Sequence, residues 1–108
     1  MAEDMDPMAE IRASFFVECE ELLETLQENL QLLENHEGDD ETINVIFRAV
    51  HSIKGGAGAC GMENLVEFAH SFETVLDEVR SAKLAVSPNL LKVCFQSSDF
   101  LTDLVKAV

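Results

Sequence analysis

The residues best suited to chemistry fall in one short string, His51-Ser52-Ile53-Lys54-Gly55-Gly56-Ala57-Gly58. A neutral imidazole is a nucleophile near neutral pH, with one nitrogen carrying a proton and the other offering a lone pair. On a helix, Lys54 and Gly55 stand three and four residues beyond His51 and share its face. The imidazole thus has a cation beside it that can attract a phosphoryl group. Beyond that lies bare backbone, flanked by Ser52, where a partner can approach. A second group, His70 and Glu73, is spaced for one helical face. A carboxylate that accepts the Nδ1–H of an imidazole fixes its tautomer and leaves Nε2 free, as a phosphoryl-accepting histidine requires. Spacing alone leaves Glu73 equally readable as a solvated residue among Glu67, Asp77 and Glu78.

Three of the eight residues in the His51 string are glycines. Each costs about 1 kcal/mol against alanine in a helix interior. Such local violations tend to mark functional sites, although a fraying helix end or close helix packing would also account for them. His51 follows the apolar Val50 by one residue, about 100° around a helix, which puts it at the edge of the buried stripe and within reach of solvent. His36, in a polar turn, carries no such company and reads as an ordinary surface histidine.

The elements that position these residues are helices. No stretch alternates polar and apolar residues in the manner of a strand. Asp6-Pro7 supplies an N-cap candidate and a first helical residue. The stripe Ile11, Phe15, Cys19, Leu22, Leu26, Leu30 and Leu33, flanked by Phe16 and Leu23, then runs to about residue 34. A turn follows, with Asp39 or Asp40 capping a second helix that carries Ile43, Ile46, Phe47, Val50, Ile53 and Ala57 and dissolves into the glycine-rich run near Gly61. The third helix presents Leu65, Phe68, Ala69, Phe72, Val75, Leu76 and Val79. Ser87-Pro88 opens a fourth, with Leu90, Leu91, Cys94, Leu101, Leu104, Val105 and Val108. The expected spans are roughly 7–34, 40–60, 62–82 and 88–107. Short connections make neighbours antiparallel, so the fold class is all-α, an up-down-up-down four-helix bundle forming one domain over residues 1–108.

Composition narrows the function. Against 7 basic residues stand 21 acidic ones, a formal net charge of -14. That balance opposes binding to a nucleic-acid backbone or an anionic membrane surface. No apolar run reaches the roughly 20 residues of a spanning helix. The acidic start Met1–Asp6 does not read as a secretory signal. Cys19, Cys60 and Cys94 are odd in number and far apart, which suits buried, reduced thiols in a cytoplasmic protein. A metal-binding or hydrolytic bundle could draw on His51, His70, Glu73 and Cys60 or Cys94. Bundles of that kind pair Glu-x-x-His motifs on facing helices, and only Glu67–His70 is present. A structural adaptor with an inert His51 is the other alternative, and it leaves the glycine cluster around a histidine without a reason.

The His51 string, preceded by Ile46-Phe47-Arg48-Ala49-Val50, resembles the phospho-acceptor motif of histidine phosphotransfer domains, most closely those of CheA-type chemotaxis histidine kinases. The likeness continues through His70-Ser71-Phe72-Glu73-Thr74-Val75-Leu76-Asp77-Glu78-Val79-Arg80 and, more weakly, Phe15-Phe16-Val17-Glu18-Cys19-Glu20-Glu21-Leu22-Leu23. The resemblance implies that His51 is the phospho-acceptor, that Glu73 and His70 belong to its orienting polar network, and that Lys54 stabilises the phosphoryl group. Gly55 and Ser52 would then give the partner access, and Ile11 and Phe15 are expected contacts of a response regulator. It implies a carrier in two-component chemotaxis signalling, phosphorylated by an ATP-binding kinase domain in cis or trans and discharged onto an aspartate of a CheY-like receiver. ATP and Mg²⁺ would belong to those partners, with no cofactor or metal held here and no catalysis by this domain alone. The parent would be a protein-histidine kinase with this segment at its N-terminus. The family's fifth helix is expected beyond Val108.

Overall fold

A computed structural model describes residues 7 to 107. Four helices follow one another: α1 (Pro7–Glu34), α2 (Asp40–Ala59), α3 (Glu63–Arg80) and α4 (Pro88–Lys106). α1 packs on α2 and α4, and α3 packs on the same two, so the helices follow their sequence order around a square. The bundle measures 53 × 21 × 21 Å. Among the described residues no helix is long and apolar enough to cross a membrane. Asp6 and Val108, expected as an N-cap and a core residue, lie outside the described residues.

Local chemistry explains the boundaries. Asp39 caps α2 through a reciprocal pair: its Oδ1 accepts from the Thr42 amide, and its own amide donates to Thr42 Oγ1. Ser87 caps α4 by accepting from the Leu90 amide, with Pro88 in the first turn. The first three helices end alike. The amides of Glu37, Met62 and Lys83 reach back to the carbonyls of Leu32, Ala57 and Glu78, while His36, Gly61 and Ala82 donate to Leu33, Gly58 and Val79. This is the Schellman closure, which puts the pivot residue in left-handed backbone. The pivots are His36 (φ 60°), Gly61 (φ 71°) and Ala82 (φ 62°). These closures set the ends of α2 and α3 at Ala59 and Arg80, short of the expected 60 and 82. Left-handed backbone is costly for alanine, so Ala82→Gly, at an exposed site, is expected to stabilise the chain by about 1 kcal/mol in urea unfolding.

The core is built from Phe15, Cys19, Leu23, Leu26 and Leu30 of α1, Ile46, Ala49, Val50, Ile53 and Ala57 of α2, Leu65, Ala69, Phe72 and Leu76 of α3, and Cys94, Leu101 and Val105 of α4. Leu23 is buried more deeply than Leu22, Ile11 is exposed, and Ser98, which no apolar pattern flags, is fully buried without a side-chain hydrogen-bond partner among the described residues. Cys19, Cys60 and Cys94 are buried free thiols. Burial, helped by Glu18 and Cys60, pushes the Cys19 thiol up to about 12, and burial pushes Cys94 up to about 11. Both are kept protonated and unreactive.

One expectation is overturned. α2 does not dissolve at its glycines but runs helically through Gly55, Gly56 and Gly58 to Ala59. The reason at Gly56 is steric. A Cβ there would lie 2.5 Å from both Cδ1 and Cε1 of Phe15, so the missing side chain lets α1 and α2 close up. At Gly55 a Cβ would meet nothing within 4 Å. Gly55→Ala is therefore expected to gain about 1 kcal/mol of helix stability, whereas Gly56→Ala should lose about 1–2 kcal/mol net as overpacking exceeds the same gain. Denaturation midpoints of the two variants, moving in opposite directions, check this.

Candidate functional site

On α2, Phe47, His51 and Gly55 recur every four residues along one face, with Lys54 beside them. α3 packs alongside and carries Glu73 and Arg80, seven residues and two turns apart. Glu73 is the junction. Its Oε2 lies 2.6 Å from His51 Nδ1, and its Oε1 accepts from Lys54 Nζ at 2.8 Å. Two groups one turn apart on α2 are thus gripped by one carboxylate from α3. The burial of Glu73 pushes its pKa up, but the hydrogen bonds from Lys54 and His51 and their charges outweigh this and hold it below its ordinary 4.5. An ionised carboxylate can only accept, so the proton between the two groups sits on Nδ1 and the lone pair on Nε2. The His51 side chain is 60% exposed, against 13% for Glu73 and 24% for Lys54. Among the described residues nothing hydrogen-bonds to Nε2.

The depressed Glu73 has a consequence for stability. A carboxylate with a lowered folded pKa stabilises the fold above its unfolded value, and that contribution is lost as pH falls through the folded value. Native unfolding free energy should therefore contain a decline below about pH 4.5 that is missing from Glu73→Gln. Urea titrations of both chains across that range give the difference. Asp39, lowered by its hydrogen bonds from Thr42, declines in the same window in both chains and cancels.

The remaining expected site residues divide. Ser52 and Gly55 are exposed beside His51, with open space over Gly55. Ile11, 44% exposed, is available to a partner. Phe15 is not: it is 5% exposed and wedged beneath Gly56, so the expectation that it forms a regulator contact is corrected. His70 also falls outside the network. It is exposed, and among the described residues its ring bonds to neither His51 nor Glu73, while its carbonyl accepts from Thr74 Oγ1. The spacing that puts His70 and Glu73 on one face spans about 60° of arc, and only Glu73 falls in the seam with α2. Lys54 spends its ammonium on Glu73 instead of standing free at Nε2. Among the described residues no three His, Cys, Asp or Glu side chains gather in a way that could hold a metal ion.

Sequence reasoning missed one neighbour of the imidazole. Phe47 lies nearly parallel to the His51 ring (9° between planes, centroids 6.0 Å apart), and the Arg80 guanidinium carbon sits 3.8 Å from the centre of the Phe47 ring. The four-residue spacing of Phe47 and His51 was the available signal. Nothing local pointed to Arg80.

The pattern recurs in known proteins. The family model described as the Hpt domain matches residues 10–108. The chain is 51% identical over 102 residues to the chemotaxis protein CheA of Cereibacter sphaeroides, covering 92% of this chain and 15% of that protein. It is 54% identical over 100 residues to CheA of Rhizobium meliloti, covering 93% and 13%. The chain thus spans only 13 to 15% of the length of these curated relatives. The solved structure of the CheA phosphotransferase domain from Thermotoga maritima superposes with a TM-score of 0.84 at 32% identity, covering 94% of this chain and 96% of that one.

Proposed function

Because this chain belongs to the Hpt domain family, of the phosphotransfer type found in the CheA kinases of two-component chemotaxis signalling, we propose that His51 is its phosphoryl acceptor and that the domain carries the group from a kinase domain to a response regulator. The observation that carries this reading is the hydrogen bond that Nδ1 donates to Glu73, which leaves Nε2 on an exposed ring, unpartnered among the described residues.

In the first step Nε2 of neutral His51 attacks the γ-phosphorus of ATP presented by a separate catalytic domain. An N–P bond forms, the β–γ bridging O–P bond breaks, and ADP leaves with its electron pair. The ring keeps the proton on Nδ1 and acquires positive charge, which Glu73 offsets at 2.6 Å. Lys54 keeps that carboxylate ionised and positioned, and stands one turn from the phosphoryl group. In the second step an aspartate of the receiver attacks phosphorus, the N–P bond breaks, and neutral imidazole returns. ATP and Mg²⁺ are supplied by the two partners, while this domain supplies orientation and a poised tautomer. The receiver approaches over α1 and α2, where Gly55 leaves room and Ser52 and Ile11 are exposed. A charge of -14 facing an acidic receiver pocket leaves apolar contact to provide the affinity. The parent is a cytoplasmic kinase.

Phosphate chemistry tests the reading. Label transferred from ATP by a histidine-kinase catalytic domain should survive base and be lost in acid, and should pass to a receiver on mixing. An acid-stable label, or none with a panel of such catalytic domains, would return the chain to an adaptor role.

A further inference from the structure

The hydrogen bond that Nδ1 donates to Glu73 fixes one point of the His51 ring. It leaves the ring plane soft, because the torsion about Cβ–Cγ has a broad well. Rocking in that well swings the Nε2 lone pair on the far side of the ring. Phe47 lies against this freedom, one turn before His51 on α2, with ring planes within 9° and centroids 6.0 Å apart. Phe47 is itself only half-buried, and Arg80 holds it from α3: the guanidinium carbon lies 3.8 Å from the ring centre, and Nη2 donates to Asp77 Oδ1 at 2.7 Å. A cation over an aromatic face is attractive, and an offset parallel pair of rings is a favoured geometry. One face of α3 therefore supplies both the carboxylate at Nδ1, from Glu73, and the brace behind the ring wall, from Arg80.

We propose that Phe47, braced by Arg80, is a positioning residue for phosphoryl transfer, holding the plane of the His51 imidazole so that Nε2 points outward. The proposal rests on His51 being the acceptor. Phe47 also packs against the core, so a purely structural role must be separated from an orienting one.

Three variants of the whole chain make the separation. Phe47→Leu keeps apolar bulk and loses the flat ring, Phe47→Tyr keeps the ring, and Arg80→Met keeps the stem and loses the cation. Each is phosphorylated by a histidine-kinase catalytic domain with Mg-ATP under conditions where all remain folded, and the His51 ring-proton shifts are followed by NMR. Phe47→Leu should lower kcat about tenfold with KM for the domain nearly unchanged, since misorientation slows the reacting complex without weakening its formation. Its His51 ring protons should shift as the neighbouring ring current disappears. Phe47→Tyr should restore both readouts, and Arg80→Met should fall between. A native kcat in Phe47→Leu, or failure of Phe47→Tyr to restore it, overturns the proposal. If the native chain takes no label, the acceptor reading itself falls; unmoved ring protons in Phe47→Leu would refute the stack independently.

Discussion

His51→Gln is expected to abolish phosphoryl acceptance, with a loss of at least about 10³-fold, while leaving the bundle folded. The amide nitrogen of glutamine has its lone pair delocalised into the carbonyl and cannot attack phosphorus. The fold survives because the replaced side chain is 60% exposed, and its recorded interactions among the described residues are the hydrogen bond with Glu73 and the ring contact with Phe47. Losing one hydrogen bond to an exposed ring, with a replacement that can remake it, is expected to change stability by no more than about 1 kcal/mol. Glu73 keeps its Lys54 partner, and the glutamine amide can still donate to the oxygen that His51 leaves. The variant retains two other histidines as internal controls. His36 sits exposed in the turn after α1, and His70 lies on α3, and among the described residues neither ring has a carboxylate on Nδ1. If exposure alone made an acceptor, either would take label in the absence of His51. Acid-labile label, quantified beside a thermal melt of the same sample, checks the result. Label at native levels in a folded His51→Gln chain would assign the acceptor elsewhere.

The sequence made the helices legible because their signals are local. Ser87-Pro88 and the pair Asp39-Asp40 each place a helix start within a residue. The stripes of α3 and α4 face the core much as their spacing implies. The site is less local. That Glu73 meets His51 depends on the register of α3 against α2, which no periodicity within either helix encodes; antiparallel packing left the pairing open, and the resemblance selected it. His70 shows the same gap: it shares a helical face with Glu73, yet a rotation of about 60° carries it out of the seam and into solvent. Phe15 lies in the core as its place in the stripe implies, and the regulator contact expected of it fails because it packs under Gly56, on another helix. The glycine run was misjudged for a related reason. Propensity disfavours a helix there, and packing of Ile53 and Ala57 into the core overrides it. What sequence reasoning lacked was, in each case, a contact between helices.

Glu73→Ala should slow phosphoryl acceptance by about 10²–10⁴-fold without moving the acceptor. Three effects act in one direction. Without the carboxylate, either ring nitrogen can hold the proton, so a fraction of the molecules presents N–H where the lone pair must be. The ring also loses the anion 2.6 Å away that offsets its charge once phosphorylated. Finally the Lys54 ammonium, only 24% exposed, is left without its anion beside a ring that must become positive. The last effect also destabilises the fold, by about 1–3 kcal/mol. That raises the question of whether slow transfer reflects chemistry or partial unfolding, and the double variant Lys54→Met, Glu73→Ala answers it. Removing the stranded cation should recover most of the lost stability, because the two side chains form one coupled pair. It should not recover the rate, because tautomer choice and charge compensation at Nδ1 are still missing. Stability and rate therefore part in the double variant if Glu73 acts on the imidazole, and return together if its only task is to neutralise Lys54.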